Sequence, residues 1–214
     1  MWVENTTGLK SYVIEGFSDI ERCMKSLDRL NLSRRFDGSK TIVYTGTLAT
    51  KYGVLDLVRA FRLLKDQDCN LIICGSGDAD SEIKDYAAAD SRIRFLGIVH
   101  NELAKTLQNE ATVLVNPRKP EGEYTAYSFP SKTMEYLETG NIVVSYRLPG
   151  IPKEYEGKIC FVEDSSTLQN ALQRALDMTF EERIKVGKAA LSFLLNEKGP
   201  NTLKAAMQYF GWDN

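Results

Sequence analysis

Two side chains three residues apart, Lys132 and Glu135, sit in a segment able to hold a phosphate and a sugar together. It reads Thr125-Ala126-Tyr127-Ser128-Phe129-Pro130-Ser131-Lys132-Thr133-Met134-Glu135-Tyr136-Leu137-Glu138-Thr139-Gly140. Pro and Ser open a helix and Gly140 closes it, the asymmetry expected of helix ends. Free N–H groups at a helix start attract a phosphate, a first-turn lysine neutralises it, and a carboxylate one turn in accepts sugar hydroxyls. An ordinary strand-to-helix connection would read the same on these residues alone, so the chain before them decides.

The elements that must position this segment follow a regular alternation from residue 41 onward. Apolar, β-rich runs at 41–45, 70–74, 92–96, 112–115, 142–145 and 158–162 read as strands. Helical patterns follow from Val54, from Asp80, at 102–108 and from Pro130, with further helices near 165–177, 180–196 and 200–210. Continuous apolar strands between helices predict a parallel sheet covered on both faces, an α/β Rossmann-like doubly wound fold with a C-terminal helical extension. Ligands in such sheets bind at the carboxyl ends of the strands. Gly46, Gly75, Gly77 and Gly97 fall at those ends, as does Asn116. Residues 1–40 form an N-terminal segment, with a short strand expected at Tyr12–Phe17 and a helix to about Leu30 carrying Ile20, Met24 and Leu27 on one side. A turn is expected at Asp37-Gly38. Residues 41–197 form the Rossmann-like domain and 198–214 a C-terminal helix.

Two further stretches carry chemistry. Gly46-Thr47-Leu48-Ala49-Thr50-Lys51-Tyr52-Gly53 joins a strand to a helix as a phosphate loop does, yet it lacks the P-loop spacing. Gly75-Ser76-Gly77 lacks the third glycine of the dinucleotide fingerprint. Lys51 is either a phosphate ligand or a solvated lysine. In the Pro/Gly-rich loop Asn116-Pro117-Arg118-Lys119-Pro120-Glu121-Gly122-Glu123-Tyr124, Arg118 and Lys119 could neutralise a diphosphate, and Glu121 or Glu123 could accept sugar hydroxyls. A solvated charged loop is the other reading.

Composition excludes several classes. A formal net charge of −2 gives no attraction to nucleic acid. No apolar run approaches the length of a membrane span, and the N-terminus lacks a signal-peptide pattern. Cys23, Cys69, Cys74 and Cys160 are scattered, which disfavours a zinc site and suits reduced thiols in a cytosolic protein. His100 is the single histidine, and nothing beside it resembles a nucleophile.

An ordered set of blocks resembles the family 4 (group 1) glycosyltransferases, in the C-terminal, donor-nucleotide half of their GT-B fold. The blocks are Thr45-Gly46-Thr47-Leu48 with Tyr52-Gly53-Val54, Leu71-Ile72-Ile73-Cys74-Gly75-Ser76-Gly77, Arg94-Phe95-Leu96-Gly97, and Phe129-Pro130-Ser131-Lys132 with Glu135-Tyr136-Leu137 and Gly140-Asn141-Ile142-Val143-Val144. The resemblance implies a retaining transferase using a nucleotide-diphosphate sugar, without cofactor or metal, in cell-surface polysaccharide biosynthesis. The diphosphate is expected at the Gly46 loop and the 131–140 helix start, and the ribose at Glu135, which matches the second Glu of the family's Glu-x7-Glu motif. Donor contacts are thereby implied at Gly46, Thr47, Gly75, Gly77, Gly97, Val99, Arg118, Ser128, Phe129, Pro130, Ser131 and Glu135. Lys51, Lys132 and Glu123 are the implied catalytic groups. Three departures accompany the match. Tyr127 occupies the position of the first motif Glu, Thr47 that of a loop arginine, and Tyr52 that of a loop lysine, with Lys51 one position early. Such variants resemble capsule- or O-antigen-type members. A whole GT-B enzyme has two such domains. The chain is therefore expected to need an acceptor domain and to be inactive alone, as a cytoplasmic protein with possible peripheral membrane association of the full enzyme. The alternative is a non-catalytic nucleotide- or sugar-binding module.

Overall fold

Six strands hydrogen-bond in the order β3-β2-β1-β4-β5-β6, every adjacent pair parallel. The computed structural model describes residues 6–12, 14–31, 40–163 and 166–212. The strands are β1 (Lys40–Thr45), β2 (Cys69–Cys74), β3 (Ile93–Gly97), β4 (Val113–Asn116), β5 (Ile142–Tyr146) and β6 (Cys160–Val162). The helices are α1 (Ile20–Asn31), α2 (Val54–Arg62), α3 (Asp80–Ala89), α4 (Asn101–Glu110), α5 (Ser131–Leu137), α6 (Leu168–Asp177), α7 (Phe180–Glu197) and α8 (Pro200–Phe210). The expected Rossmann-like, doubly wound sheet is therefore present.

Strand alternation sorts the core into two layers. Ile42, Leu71, Ile73, Val113, Val115, Ile142 and Val144 face one side and pack against α2, α3 and α6. Val43, Ile72, Leu114 and Val143 face the other and pack against α1, α5 and α7. Successive side chains on a strand point to opposite faces, so unbroken apolar runs require helices on both. At the centre β1 pairs with β2 on one side and β4 on the other, with Ile42 opposite both Leu71 and Val113. The chain winds outward in both directions from β1 and β4, and their carboxyl ends diverge into a crevice.

The N-terminal stretch differs from expectation. Residues 12 and 14–17 carry no strand, and residue 13 lies outside the described residues. Polar ties hold this stretch against the end of α7 instead. The Ser18 N–H donates to the Lys198 carbonyl at 2.9 Å, and Lys198 Nζ pairs with Glu15 at 2.8 Å. The buried face of α1 is Arg22, Cys23, Ser26 and Leu30, whereas Met24 is exposed. Arg22 can take a buried position because α4 and the segment after α5 supply its acceptors, which the helical period alone does not reveal. The Asp37-Gly38 turn lies outside the described residues.

Lys198, at the junction of α7 and α8, is 6% exposed and also pairs with Glu154. Beyond it, Leu203, Met207 and Tyr209 of α8 and Trp212 just after it are exposed, with the Tyr12 ring tilted against that of Tyr209 at 5.5 Å. No helix among the described residues is long and apolar enough to cross a membrane.

Candidate functional site

Two hollows flank the switch point at the carboxyl end of the sheet and share Gly46, Thr47 and Lys132 as walls. The smaller, of 170 Å³, is completed by Tyr52, Asn116, Arg118, Pro130 and Ser131. The larger, of 440 Å³, is completed by Gly75, Ser76, Val99 and Asn101. Lys132 therefore stands on a ridge between them, one residue into α5.

The loops on the β1 and β2 side behave as a continuation of the sheet. Gly46 N–H donates to the Cys74 carbonyl (3.0 Å), Leu48 N–H to Ser76 (2.9 Å) and Gly75 N–H to Gly97 (2.8 Å). Gly75 adopts φ +138°, and a Cβ there would lie 1.8 Å from the Gly46 carbonyl oxygen. A Cβ on Gly77 would lie 2.3 Å from the Leu48 backbone. These glycines answer the close approach of two loops, a packing reason the sequence did not disclose. Tyr44 adds a brace by donating its hydroxyl to the Thr47 carbonyl at 2.8 Å. Burial pushes that hydroxyl up to about 12, so it remains a donor.

On the β4 side, α5 is anchored by Tyr136. Its fully buried hydroxyl donates to the Thr45 carbonyl and accepts from the Thr45 N–H, both at 2.9 Å. Tyr136→Phe removes both partners from the backbone at the end of β1. Burying unpaired polar groups costs about 1–3 kcal/mol. Urea unfolding should show a loss of that size without a change in slope.

Glu135 lies one turn from Lys132 and receives two bonds. Lys132 Nζ reaches its Oε2 at 2.7 Å and Gln108 Nε2 its Oε1 at 2.8 Å. Burial pushes the carboxyl up, but the bonds from Lys132 and Gln108 outweigh it and hold it below the usual glutamate value. It is an ionised acceptor at neutral pH. Behind it, Gln108 also donates to Thr45 Oγ1 at 2.8 Å and accepts from Arg22 at 2.7 Å. The α5 N-cap, Pro130, offers no side-chain hydrogen bond to the first turn, and its carbonyl accepts the Thr133 N–H at 2.8 Å, so the Ser131 and Lys132 N–H groups remain for water or an anion.

The implied site residues divide between crevice and surroundings. Gly46, Thr47 and Lys132 line both hollows, Arg118, Pro130 and Ser131 the smaller, and Gly75 and Val99 the larger. Glu135 borders them through Lys132. Ser128 accepts a long bond from Arg118 (3.5 Å), and Phe129 packs 5.1 Å from Tyr155. Gly77, Gly97, Lys51 and Glu123 are not among the lining residues. Lys51 Nζ lies 5.3 Å from the Tyr52 ring centroid and the Arg118 guanidinium 5.4 Å from the same ring. Tyr52, at the position of the family's lysine, thus forms a wall on which an arginine rests. Lys119 pairs with Asp56 at 2.7 Å, and Tyr127 is 75% exposed. Sequence reasoning passed over Arg22, Gln108 and Thr45. A signal existed for Gln108, a polar residue within the Ala104-Leu107-Gln108-Ala111 stripe that repeats at helical spacing.

The sheet order and the crevice at its centre define a Rossmann-like half of a GT-B fold. Residues 39–178 match the family model described as glycosyl transferases group 1, and the chain belongs to that family. Among solved structures it is similar to WaaG, a glycosyltransferase involved in lipopolysaccharide biosynthesis. The TM-score is 0.67 at 14% identity, covering 97% of this chain and 59% of that one. It is likewise similar to Anabaena HepE in complex with UDP and glucose, with TM-score 0.65 at 14% identity over 91% of this chain and 55% of that one. The C-terminal domain of the Francisella tularensis group 1 protein LpcC aligns with TM-score 0.60 at 15% identity, over 88% of this chain and all of that domain. The chain thus spans little more than half the length of WaaG and HepE. Compared by sequence with curated proteins, it has no significant match.

Proposed function

We propose that this chain is the donor-binding half of a retaining glycosyltransferase that takes its sugar from a nucleotide-diphosphate donor, in the assembly of a cell-surface polysaccharide. The observation that carries the reading is the ridge at the switch point, where ionised Glu135 and Lys132 stand together between two hollows beneath the Gly46 loop. A carboxylate accepts the two hydrogens of a ribose diol, and a lysine with an uncapped helix start neutralises a diphosphate. Lys132 and Arg118 are the cations lining the smaller hollow. They would stabilise the departing diphosphate electrostatically, the interaction that matters most when charge develops on a leaving group. The UDP complexes of HepE support a nucleoside diphosphate as ligand. The exposed apolar side chains of α8 support a partner surface, which we assign to an acceptor domain carried by the same or a separate polypeptide. We further propose a cytoplasmic enzyme, held peripherally at the membrane when complete. Calorimetric titration with uridine, adenosine, guanosine and cytidine diphosphates tests the core of this reading. At least one should bind, and no heat at millimolar ligand with well-folded protein would overturn it.

A second reading, a nucleotide-binding module without catalysis, is favoured by one observation. Tyr127, at the position of the motif's sugar-facing carboxylate, is exposed to solvent and carries no charge there. Supplying an acceptor domain and assaying donor hydrolysis separates the two, since the module would bind the donor and leave it intact.

A further inference from the structure

Gln108 is buried, with 0% exposure, in the last turn of α4, on a face otherwise made of Ala104, Leu107 and the C-cap Ala111. A neutral polar side chain in such a place is retained only at a cost unless every group is bonded. All of its groups are bonded. Its oxygen accepts from Arg22 at 2.7 Å, and its amide nitrogen donates to Thr45 Oγ1 and Glu135 Oε1, both at 2.8 Å. The amide cannot be turned over. Rotated by a half-turn, its oxygen would meet the Glu135 carboxylate and its NH2 the Arg22 guanidinium, two donors or two acceptors face to face. Arg22 is itself held, with 9% exposure and its other terminal nitrogen, Nη1, 3.5 Å from Glu138. The two partners of Glu135 therefore differ in kind. Lys132 is 40% exposed and lies against both hollows, so an incoming phosphate can draw it away, whereas Gln108 is locked from behind.

We propose that Gln108 is a positioning residue for Glu135, the fixed partner that holds one carboxylate oxygen in place while Lys132, the exchangeable partner, turns from the other oxygen to the ligand's phosphate. This rests on the donor-binding reading above and adds to it a relay, Arg22–Gln108–Glu135, that ties helix α1 to the site. The carboxylate stays directed at the crevice when its lysine leaves, because a hydrogen bond from a buried amide survives the exchange. The charged and titratable groups around Glu135 are Lys132 and Glu138 on its own helix and segment, the Tyr136 hydroxyl beside it, and Arg22 from α1. From β1 and α4 the facing groups are the neutral Thr45 and Gln108.

The test uses Gln108→Met, which keeps length and unbranched shape but removes the donor. Carbon-13 NMR of the Glu135 carboxyl in the ligand-free protein should show a higher titration midpoint in Gln108→Met than in wild type. Calorimetry with the four nucleoside diphosphates should show affinity about tenfold weaker for whichever binds wild type. In a Glu135→Ala background Gln108→Met should produce no further loss, a coupling that a purely structural role would not create. Should Gln108→Met not fold, Gln108→Asn withdraws the N–H by one methylene and is read in the same way. An unchanged carboxyl midpoint, or equal losses with and without Glu135, overturns the proposal. If wild type binds none of the diphosphates, the donor reading fails, and the carboxyl titration still decides the clamp.

Discussion

Glu135→Ala is expected to weaken nucleoside diphosphate binding about a hundredfold. A hydrogen bond to a charged group contributes about 1.5–3 kcal/mol, and each 1.4 kcal/mol is a tenfold change in affinity. A ribose diol donates two such bonds. Part of the loss is offset because Lys132, no longer held at 2.7 Å by the carboxylate, is released toward the phosphate. Stability should fall by about 1–3 kcal/mol, because the partly exposed Lys132–Glu135 pair contributes little but the buried Gln108 N–H loses its acceptor. The pH dependence follows from the same carboxyl. Its bonds keep it ionised below the usual glutamate range, so the carboxyl's own contribution to affinity should be flat through neutrality. It should fall only where pH drops through that lowered value and the acceptor is protonated. Calorimetry from pH 7 downward measures both. Unchanged affinity in Glu135→Ala would point to a different phosphorylated ligand held by other groups.

The second large effect is on stability and lies far from the crevice. Lys198→Met should destabilise the fold by about 3–5 kcal/mol, because it leaves Glu15, 8% exposed at its side chain, buried without its cation. A loss of this size lowers the melting temperature of a chain this long by about 10 °C. The double variant Glu15→Gln with Lys198→Met should recover much of that loss, because no uncompensated buried charge remains there. Burial works against the Lys198 charge, but the bonds to Glu15 and Glu154 prevail and raise its pKa above the usual lysine value. The contribution of this cluster is therefore complete below the unfolded lysine value and is lost only as pH rises through the higher folded one. Thermal melts between pH 7 and 10 should show it persisting. Equal melting temperatures for Lys198→Met and wild type would remove the cluster from the account of what joins the two ends of the chain.

The sheet was legible because its signal is local. Val43, Ile72, Leu114 and Val143 belong to unbroken apolar runs, and only a parallel sheet covered on both faces buries such runs completely. Helix α5 was legible from Pro130 and Gly140 for the same reason. Tyr12–Phe17 misled because an apolar hexapeptide with a glycine also suits a stretch packed along helices. What decided its state was Lys198, more than a hundred residues away. In the site, the order of family blocks led to Gly46, Lys132 and Glu135. Gln108 and Arg22 were not reached, because their role exists only once α1, α4 and α5 meet behind the carboxylate. The same limit applies to Gly75 and Gly77, whose need for glycine comes from the neighbouring loop's backbone.

The central pairing of β1 with β4 has a kinetic consequence. These two strands are neighbours in space but are separated in the chain by helix α2 and two whole strand–helix units, β2–α3 and β3–α4. Contacts that close so long a loop form late, because the entropy of closure must be met before the strands can repay it. The Gly46 loop can be shaped early against β2, but the wall opposite it, with Asn116 and Lys132, arrives only when β4 and α5 dock. A ligand that needs both walls binds the finished sheet and nothing before it, so its presence during refolding should slow unfolding while leaving the first steps of folding at their own pace.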